Sequence, residues 1–119
     1  MNKKIFLALI VSAVLTGACT QMKTHPMDMS AAVAGAKTGA DHTNLATHYD
    51  EVAKDMEAKV VEHKKLLAHY QKESYLYPSV KQTPSMADHC QTLINLYQKA
   101  AEENRMMADS HRQMAKEAK

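Results

Sequence analysis

Hydrophobic residues recur with a helical period over the last third of the chain, from Met86 to Ala118. Residues three or four positions apart share a helix face, so three rows of side chains spaced by seven merge into one apolar band about 100° wide. The methionine line comprises Met86, Leu93, Ala100, Met107 and Met114. The alanine line comprises Ala87, Ile94, Ala101, Ala108 and Ala115. The polar midline, which lies between them, comprises Cys90, Tyr97, Asn104, His111 and Ala118. The pattern predicts a long helix that buries polar side chains.

The same spacing occurs over residues 41–74, which predicts a second long helix. Its three rows are Leu45, Val52, Lys59 and Leu66; Ala46, Ala53, Val60 and Leu67; and a polar midline of His42, Tyr49, Met56, His63 and Tyr70. Asp41 is a good N-cap residue, and Thr43 is an alternative. The segment predicts a helix that presents the same kind of face as the last third of the chain.

Pro78 and Pro84 separate the two periodic segments and predict a turn, since each disfavours helix at the residue before it. Thr83 or Ser85 then caps the following helix. Two long helices joined by a short loop lie antiparallel. The sequence therefore predicts an all-α fold, an antiparallel two-helix hairpin of residues about 41–74 and 85–117, with helices about 50 Å long.

A turn centred near residue 80 fixes which midline residues face each other. Tyr49 then lies opposite His111, and His63 lies opposite Tyr97. Buried polar groups need hydrogen-bond partners, so we expect His–Tyr hydrogen bonds that also fix the register. The predicted polar residues of the interface are Tyr49, His63, Tyr70, Cys90, Tyr97, Asn104 and His111.

The predicted apolar bands are wider than one partner helix covers, and two helices enclose little core. We expect a second hairpin or another envelope protein to cover the alanine line, where small residues allow close approach. A homodimer that forms a four-helix bundle is the simplest closed arrangement.

The N-terminus has the pattern of a secretory signal peptide: two lysines, an apolar run over residues 5–15 and small residues after it. The run is too short for a comfortable transmembrane helix. The segment Leu-Thr-Gly-Ala-Cys at 15–19 resembles the lipobox of bacterial lipoproteins. This resemblance implies cleavage after Ala18, lipidation of Cys19 and, because Thr20 follows, an outer membrane lipoprotein facing the periplasm.

Thr16 stands where that family usually has Leu, so conventional cleavage after Ala18 and a soluble periplasmic protein are the alternative. The predicted organisation is a signal peptide at 1–18, a lipidated Cys with a flexible tether at 19–40, and the hairpin domain at 41–119. The mature part of the chain also resembles small exported proteobacterial proteins with an antiparallel hairpin. The segments that carry this resemblance are His-Cys-Gln-Thr-Leu at 89–93 and Ala-Ala-Glu-Glu-Asn at 100–104. That resemblance supports the fold and implies no activity.

Charge and motifs narrow the function. Without the signal peptide, thirteen basic and thirteen acidic residues remain, so the net charge is zero and no basic patch favours nucleic acid. No Ser-His-Asp set, Gly-rich phosphate loop or paired-carboxylate site stands out, which argues against an enzyme. The sequence predicts a non-enzymatic, membrane-anchored lipoprotein of the cell envelope that acts as a helical interaction module, with the membrane, a second copy or an envelope protein as partners.

The alternative function is periplasmic binding of copper or zinc, with no cofactor expected otherwise. His42, Met107, His111 and Met114 should gather at the open end of the hairpin, and a second set near the turn comprises His69, Met86, His89 and Cys90. Imidazole, thioether and thiol groups suit these metals. The spacing matches no recognised metal motif, so ordinary packing is the main interpretation of both sets.

The lipobox-like segment predicts that the protein expressed in a bacterium enters a detergent phase and carries acyl chains, since multiple chains are needed for stable anchoring. Cys19→Ser should release it from the membrane fraction. Acyl chains are measured by mass spectrometry. A Cys19→Ser protein as membrane-bound as wild type would contradict lipidation.

Overall fold

The computed structural model describes residues 28–73 and 85–118. They form three helices, α1 (Met29–Gly35), α2 (Gly39–Lys72) and α3 (Met86–Glu117), and contain no strand, which confirms the all-α class. The predicted signal peptide, the lipidation site Cys19 and the predicted turn lie outside these residues. None of the helices in this part of the chain is long and apolar enough to cross a membrane.

Helices α2 and α3 pack against each other along their length as an antiparallel pair. The ring of Tyr49 lies beside that of His111, and further along α2 the ring of His63 lies beside that of Tyr97. Residue numbers therefore rise along α2 as they fall along α3. The predicted two-helix hairpin is confirmed, and both ring pairs agree with the predicted register.

Helix α2 begins earlier than predicted, because its N-cap is Thr38 rather than Asp41. The Thr38 hydroxyl accepts a hydrogen bond from the Asp41 N–H at 3.1 Å, and the Asp41 carboxylate accepts from the Thr38 N–H at 2.8 Å. The carboxylate also accepts from the Lys37 N–H at 3.0 Å, which is the main reason that the pKa of Asp41 falls to about 2. This reciprocal capping box satisfies more backbone donors than Asp41 could as the cap, so the prediction of Asp41 was wrong.

Helix α3 begins with the same device, at one of the two predicted caps. Ser85 accepts from the Asp88 N–H at 3.2 Å, and the Asp88 carboxylate accepts from the Ser85 N–H at 2.8 Å. The Ser85 hydroxyl donates to the same carboxylate at 2.7 Å. Both long helices thus start at a residue pair that fixes the first turn.

Helix α1 lies in the segment predicted to be a flexible tether. Its N-cap Asp28 accepts hydrogen bonds from the N–H groups of Ser30 and Ala31 at 3.0 and 3.3 Å. None of its residues is buried. The helix is therefore held by its own cap and backbone bonds more than by packing on the hairpin.

The alanine line lies inside the hairpin. Ile94, Ala101 and Ala108 are 3%, 4% and 0% exposed, and on α2 the row that begins at Ala46 contains Ala53, which is 0% exposed. The prediction that a second hairpin covers the alanine line was wrong, because α2 itself covers it. Small side chains on both helices let the two backbones approach closely, which leaves little room for a third element there.

Gly39 marks the closest approach at the open end, where α2 begins and α3 ends. A Cβ atom at this position would lie 2.8 Å from the backbone carbonyl oxygen of Ala115. Such a contact requires the backbone of one helix to move, because the neighbouring atom is not part of a flexible side chain. Gly35, by contrast, has open space around it.

We predict that Gly39→Ala lowers the free energy of unfolding by about 1–3 kcal/mol through overpacking, although Ala is the better helix former. Gly35→Ala is the matched control, and it should leave stability unchanged or raise it by up to about 1 kcal/mol. Urea unfolding followed by circular dichroism measures both. Equal tolerance of the two substitutions would contradict the close approach.

Candidate functional site

The open end of the hairpin holds a stack of three rings. His111 of α3 inserts between His42 and Tyr49 of α2, with ring centroids 5.4 Å and 5.5 Å apart and interplanar angles of 23° and 9°. His48 meets the edge of Tyr49 at 6.1 Å. His111 is only 5% exposed, so the stack places an ionisable ring in the interior of the helix pair.

The two histidines of this stack also contact each other directly through ring nitrogens. The Nδ1 atoms of His42 and His111 lie 3.1 Å apart, which is hydrogen-bond distance. A neutral imidazole has one donor and one acceptor nitrogen, so one ring must carry its proton on Nδ1 and the other must not. The pair is therefore compatible with two neutral rings or one charged ring, and incompatible with two charged rings.

Burial lowers the pKa of His111 from its ordinary value, and the nearby positive charge of protonated His42 lowers it further. Both causes act in the same direction because each disfavours the charged imidazolium. Near neutral pH the structure thus favours a neutral His111 with an Nδ1 lone pair or N–H directed at His42. A neutral imidazole is the form that binds metal ions.

The two methionines predicted at this end lie on the outside of α3. Met107 is four residues before His111 and Met114 is three residues after it, so both share its side of the helix. Their exposed fractions are 43% and 45%. The structure thus brings together the two predicted histidines and leaves the two predicted thioethers at the surface beside them.

The second predicted His–Tyr pair lies near the middle of the hairpin and is stacked as well. The rings of His63 and Tyr97 have centroids 5.5 Å apart at 23°. The Nδ1 atom of His63 is buried and has no hydrogen-bond partner among the described residues. The predicted His63–Tyr97 hydrogen bond was therefore wrong: the two rings lie side by side, and no hydrogen bond joins them.

The other polar midline residues have separate roles. Asn104 donates to the Ala100 carbonyl of its own helix at 2.7 Å. Tyr70 is half-buried, and Cys90 is a buried free cysteine that is 4% exposed. These residues pack within the hairpin, and no described contact gathers them into one site.

The metal set predicted near the turn is not assembled. His69 lies 3.6 Å from Glu73 in its own helix, His89 is exposed, and Met86 is 53% exposed. Within residues 28–73 and 85–118, no three His, Cys, Asp or Glu side chains gather as a possible metal centre.

Two ion pairs between the helices were missed in the sequence. Arg105 donates to Glu57 at 2.5 Å and 3.1 Å, and Arg112 donates to Asp50. A signal was present, because the only two arginines are seven residues apart and the two acids are also seven apart. The side chains are 47% and 49% exposed in the first pair and 45% and 27% exposed in the second, so solvent screens both pairs and they serve mainly to fix the register.

Comparisons of the chain with protein-family models, with curated proteins and with solved structures found no match. The function is accordingly inferred from the residues of this chain. Two features are available for that inference: the histidine pair at the open end and the exposed apolar side chains of α3.

The lowered pKa of His111 predicts a specific loss of stability in acid. The unfolded chain binds this proton near the ordinary value of 6.5, which is above the folded value. Its stabilising contribution is therefore complete above about pH 6.5 and is lost as the pH falls through the folded pKa. The free energy of unfolding of metal-free protein, measured in urea, should fall between about pH 8 and about pH 5.

His111→Phe keeps an aromatic ring in the stack and removes the titration, so this variant should lose less stability over that pH interval. His89→Gln removes an exposed histidine and should behave as wild type. An unchanged pH dependence in His111→Phe would show that His111 does not titrate as inferred.

Proposed function

We propose that this protein is a non-enzymatic, lipid-anchored protein of the bacterial cell envelope whose hairpin acts as a helical interaction module. The observation that carries the proposal is that the three methionines of the methionine line stay exposed on α3 although they belong to the apolar band. The lipobox-like segment ending at Cys19 supports an outer membrane anchor facing the periplasm. The chain offers no recognisable catalytic set, which supports a binding role.

The methionine line runs along nearly the whole of α3. Met86, Met107 and Met114 are 53%, 43% and 45% exposed, while Leu93 and Ala100 are half-buried. Leu96 and Met106, on other rows of α3, are 58% and 49% exposed. A row of exposed apolar side chains along one helix is typical of an interaction site, and flexible methionine side chains adapt to a partner.

The proposed partner is a second copy of the hairpin. The methionine line spans the long axis of α3, so two copies related by a twofold axis can pair these lines along their full length. The result is a four-helix bundle, in which the second hairpin covers the methionine line rather than the alanine line. Another envelope protein with an apolar helix face is the alternative partner.

Neighbouring alanines provide a sharp test. Ala100 is on the methionine line and half-buried, whereas Ala101 is on the alanine line and 4% exposed. Ala100→Glu should leave the helix content and stability nearly unchanged and abolish self-association, because the charge would be buried only in the dimer. Ala101→Glu should instead destabilise the hairpin itself by about 3 kcal/mol, because the charge enters its interior.

The measurements are sedimentation at micromolar protein and urea unfolding. A wild-type protein that is monomeric and stably helical at every concentration would exclude the second copy as partner. Loss of self-association in Ala101→Glu with full stability, and none in Ala100→Glu, would mean that the alanine line is the dimer interface after all.

A second candidate function, binding of a transition-metal ion in the periplasm, is favoured by one specific observation. The facing Nδ1 atoms of His42 and His111 are 3.1 Å apart and belong to different helices. Titration of the processed protein with Cu(I) and Zn(II) against a competing chelator tests this function. No competition at micromolar metal would exclude it.

A further inference from the structure

We propose that the open end of the hairpin is a Cu(I) site formed by Nδ1 of His42, Nδ1 of His111 and the thioether of Met114. The proposal rests on the second candidate function and names its ion and ligands. Its basis is the pair of facing imidazole nitrogens, which come from separate helices and meet at 3.1 Å. A thioether one helical turn away from one of them supplies a third ligand of the right chemistry.

The separation of the two nitrogens suits a shared ion. Imidazole nitrogens bind metals such as zinc at about 2.0–2.1 Å, so two of them on one ion lie at most about 4 Å apart. The observed 3.1 Å is within this limit. Two nitrogens at this separation can therefore bind the same ion without moving further apart.

The two histidine ligands differ in burial: His111 is buried and His42 is half-buried. His111 is 5% exposed and is held between the rings of His42 and Tyr49. His42 is half-buried in the first turns of α2, so it is the more accessible of the two rings. Binding requires both Nδ1 atoms to be free of protons, so each ring carries its proton on Nε2, a tautomer that neutral histidine adopts readily.

Met114 is the better placed of the two methionines. His111 lies between His42 and Tyr49, and Ala115 lies beside Gly39, so the antiparallel register puts Met114 near the first turn of α2, on the His42 side of His111. Met107 lies further from this end, toward the start of α3. The Met114 side chain is 45% exposed, so it can fold onto an ion at the surface of the stack. Its position at the end of α3 makes the site accessible from solvent.

The ligand set selects a soft ion. Thioether ligands favour Cu(I), and imidazole binds copper as well as zinc. Structural zinc sites usually have four ligands from Cys, His and carboxylates. The described residues offer no third ligand of these types at this end, because no such group of three exists among them and the Asp41 carboxylate is occupied by Lys37 and Thr38.

The experiment uses the full chain as processed by an expressing bacterium and purified in detergent, with Cu(I) buffered by bicinchoninic acid. Wild-type protein should bind one ion, and His42→Ala should weaken binding at least about tenfold, since a ligand is lost. Met114→Leu keeps the shape of the side chain and should weaken Cu(I) binding to a smaller extent. On binding, the His42 and His111 ring signals in NMR spectra should shift together.

Three variants serve as controls. His89→Ala removes an exposed histidine, Cys90→Ser removes the buried thiol, and Met107→Leu removes the other thioether; all three should bind Cu(I) as wild type does. His42 lies at the rim of the stack, so its variant tests the site even if His111→Ala fails to fold. Circular dichroism of each variant confirms its helix content.

Stoichiometric Cu(I) binding that survives His42→Ala, or that disappears in Cys90→Ser, would overturn this site while leaving metal binding as a function. Binding of Zn(II) in preference to Cu(I) would overturn the choice of ion. No binding of either ion to the wild-type protein would remove both the site and the second candidate function.

Discussion

The close approach of α2 and α3 is the constraint on which the other features depend. Ala53 and Ala108 are fully buried, and at the open end Gly39 leaves no space for a Cβ against the backbone of Ala115. Small side chains bury little apolar area, so each contributes modestly to stability. Their main effect is to set the distance between the helices, and that distance determines which larger side chains can meet across the interface.

At this distance the aromatic and histidine rings of the two helices meet in pairs. At close range, rings from opposite helices lie nearly parallel: His111 lies between His42 and Tyr49, and His63 lies beside Tyr97. The ring nitrogens also need hydrogen-bond partners when they are buried. His111 finds the Nδ1 atom of His42, whereas the buried Nδ1 atom of His63 has no partner among the described residues.

Much of the fold could be predicted from periodicity, because side chains spaced by seven identify a helix face whatever their exact packing. The same periodicity paired Tyr49 with His111 and His63 with Tyr97. It could not say which side of a broad apolar band meets the partner helix, since the methionine line and the alanine line are equally apolar. In the structure the alanine line faces α2, because two rows of small residues allow a shorter distance between the helices.

The sequence predicted that His42 and His111 gather at the open end, but periodicity could not predict that their ring nitrogens meet. Periodicity places Tyr49 opposite His111, and His42 one heptad earlier should lie too far along the helix to touch the same ring. His111 nevertheless reaches both, because its side chain points into the space between two successive midline residues of α2. A side chain of one helix can contact two residues of the facing helix when the side chains interlock, so that each lies between two residues of the facing helix. This interlocking is what brings the Nδ1 atoms of His42 and His111 together. The candidate site therefore follows from the packing of the two helices and not from a local sequence motif.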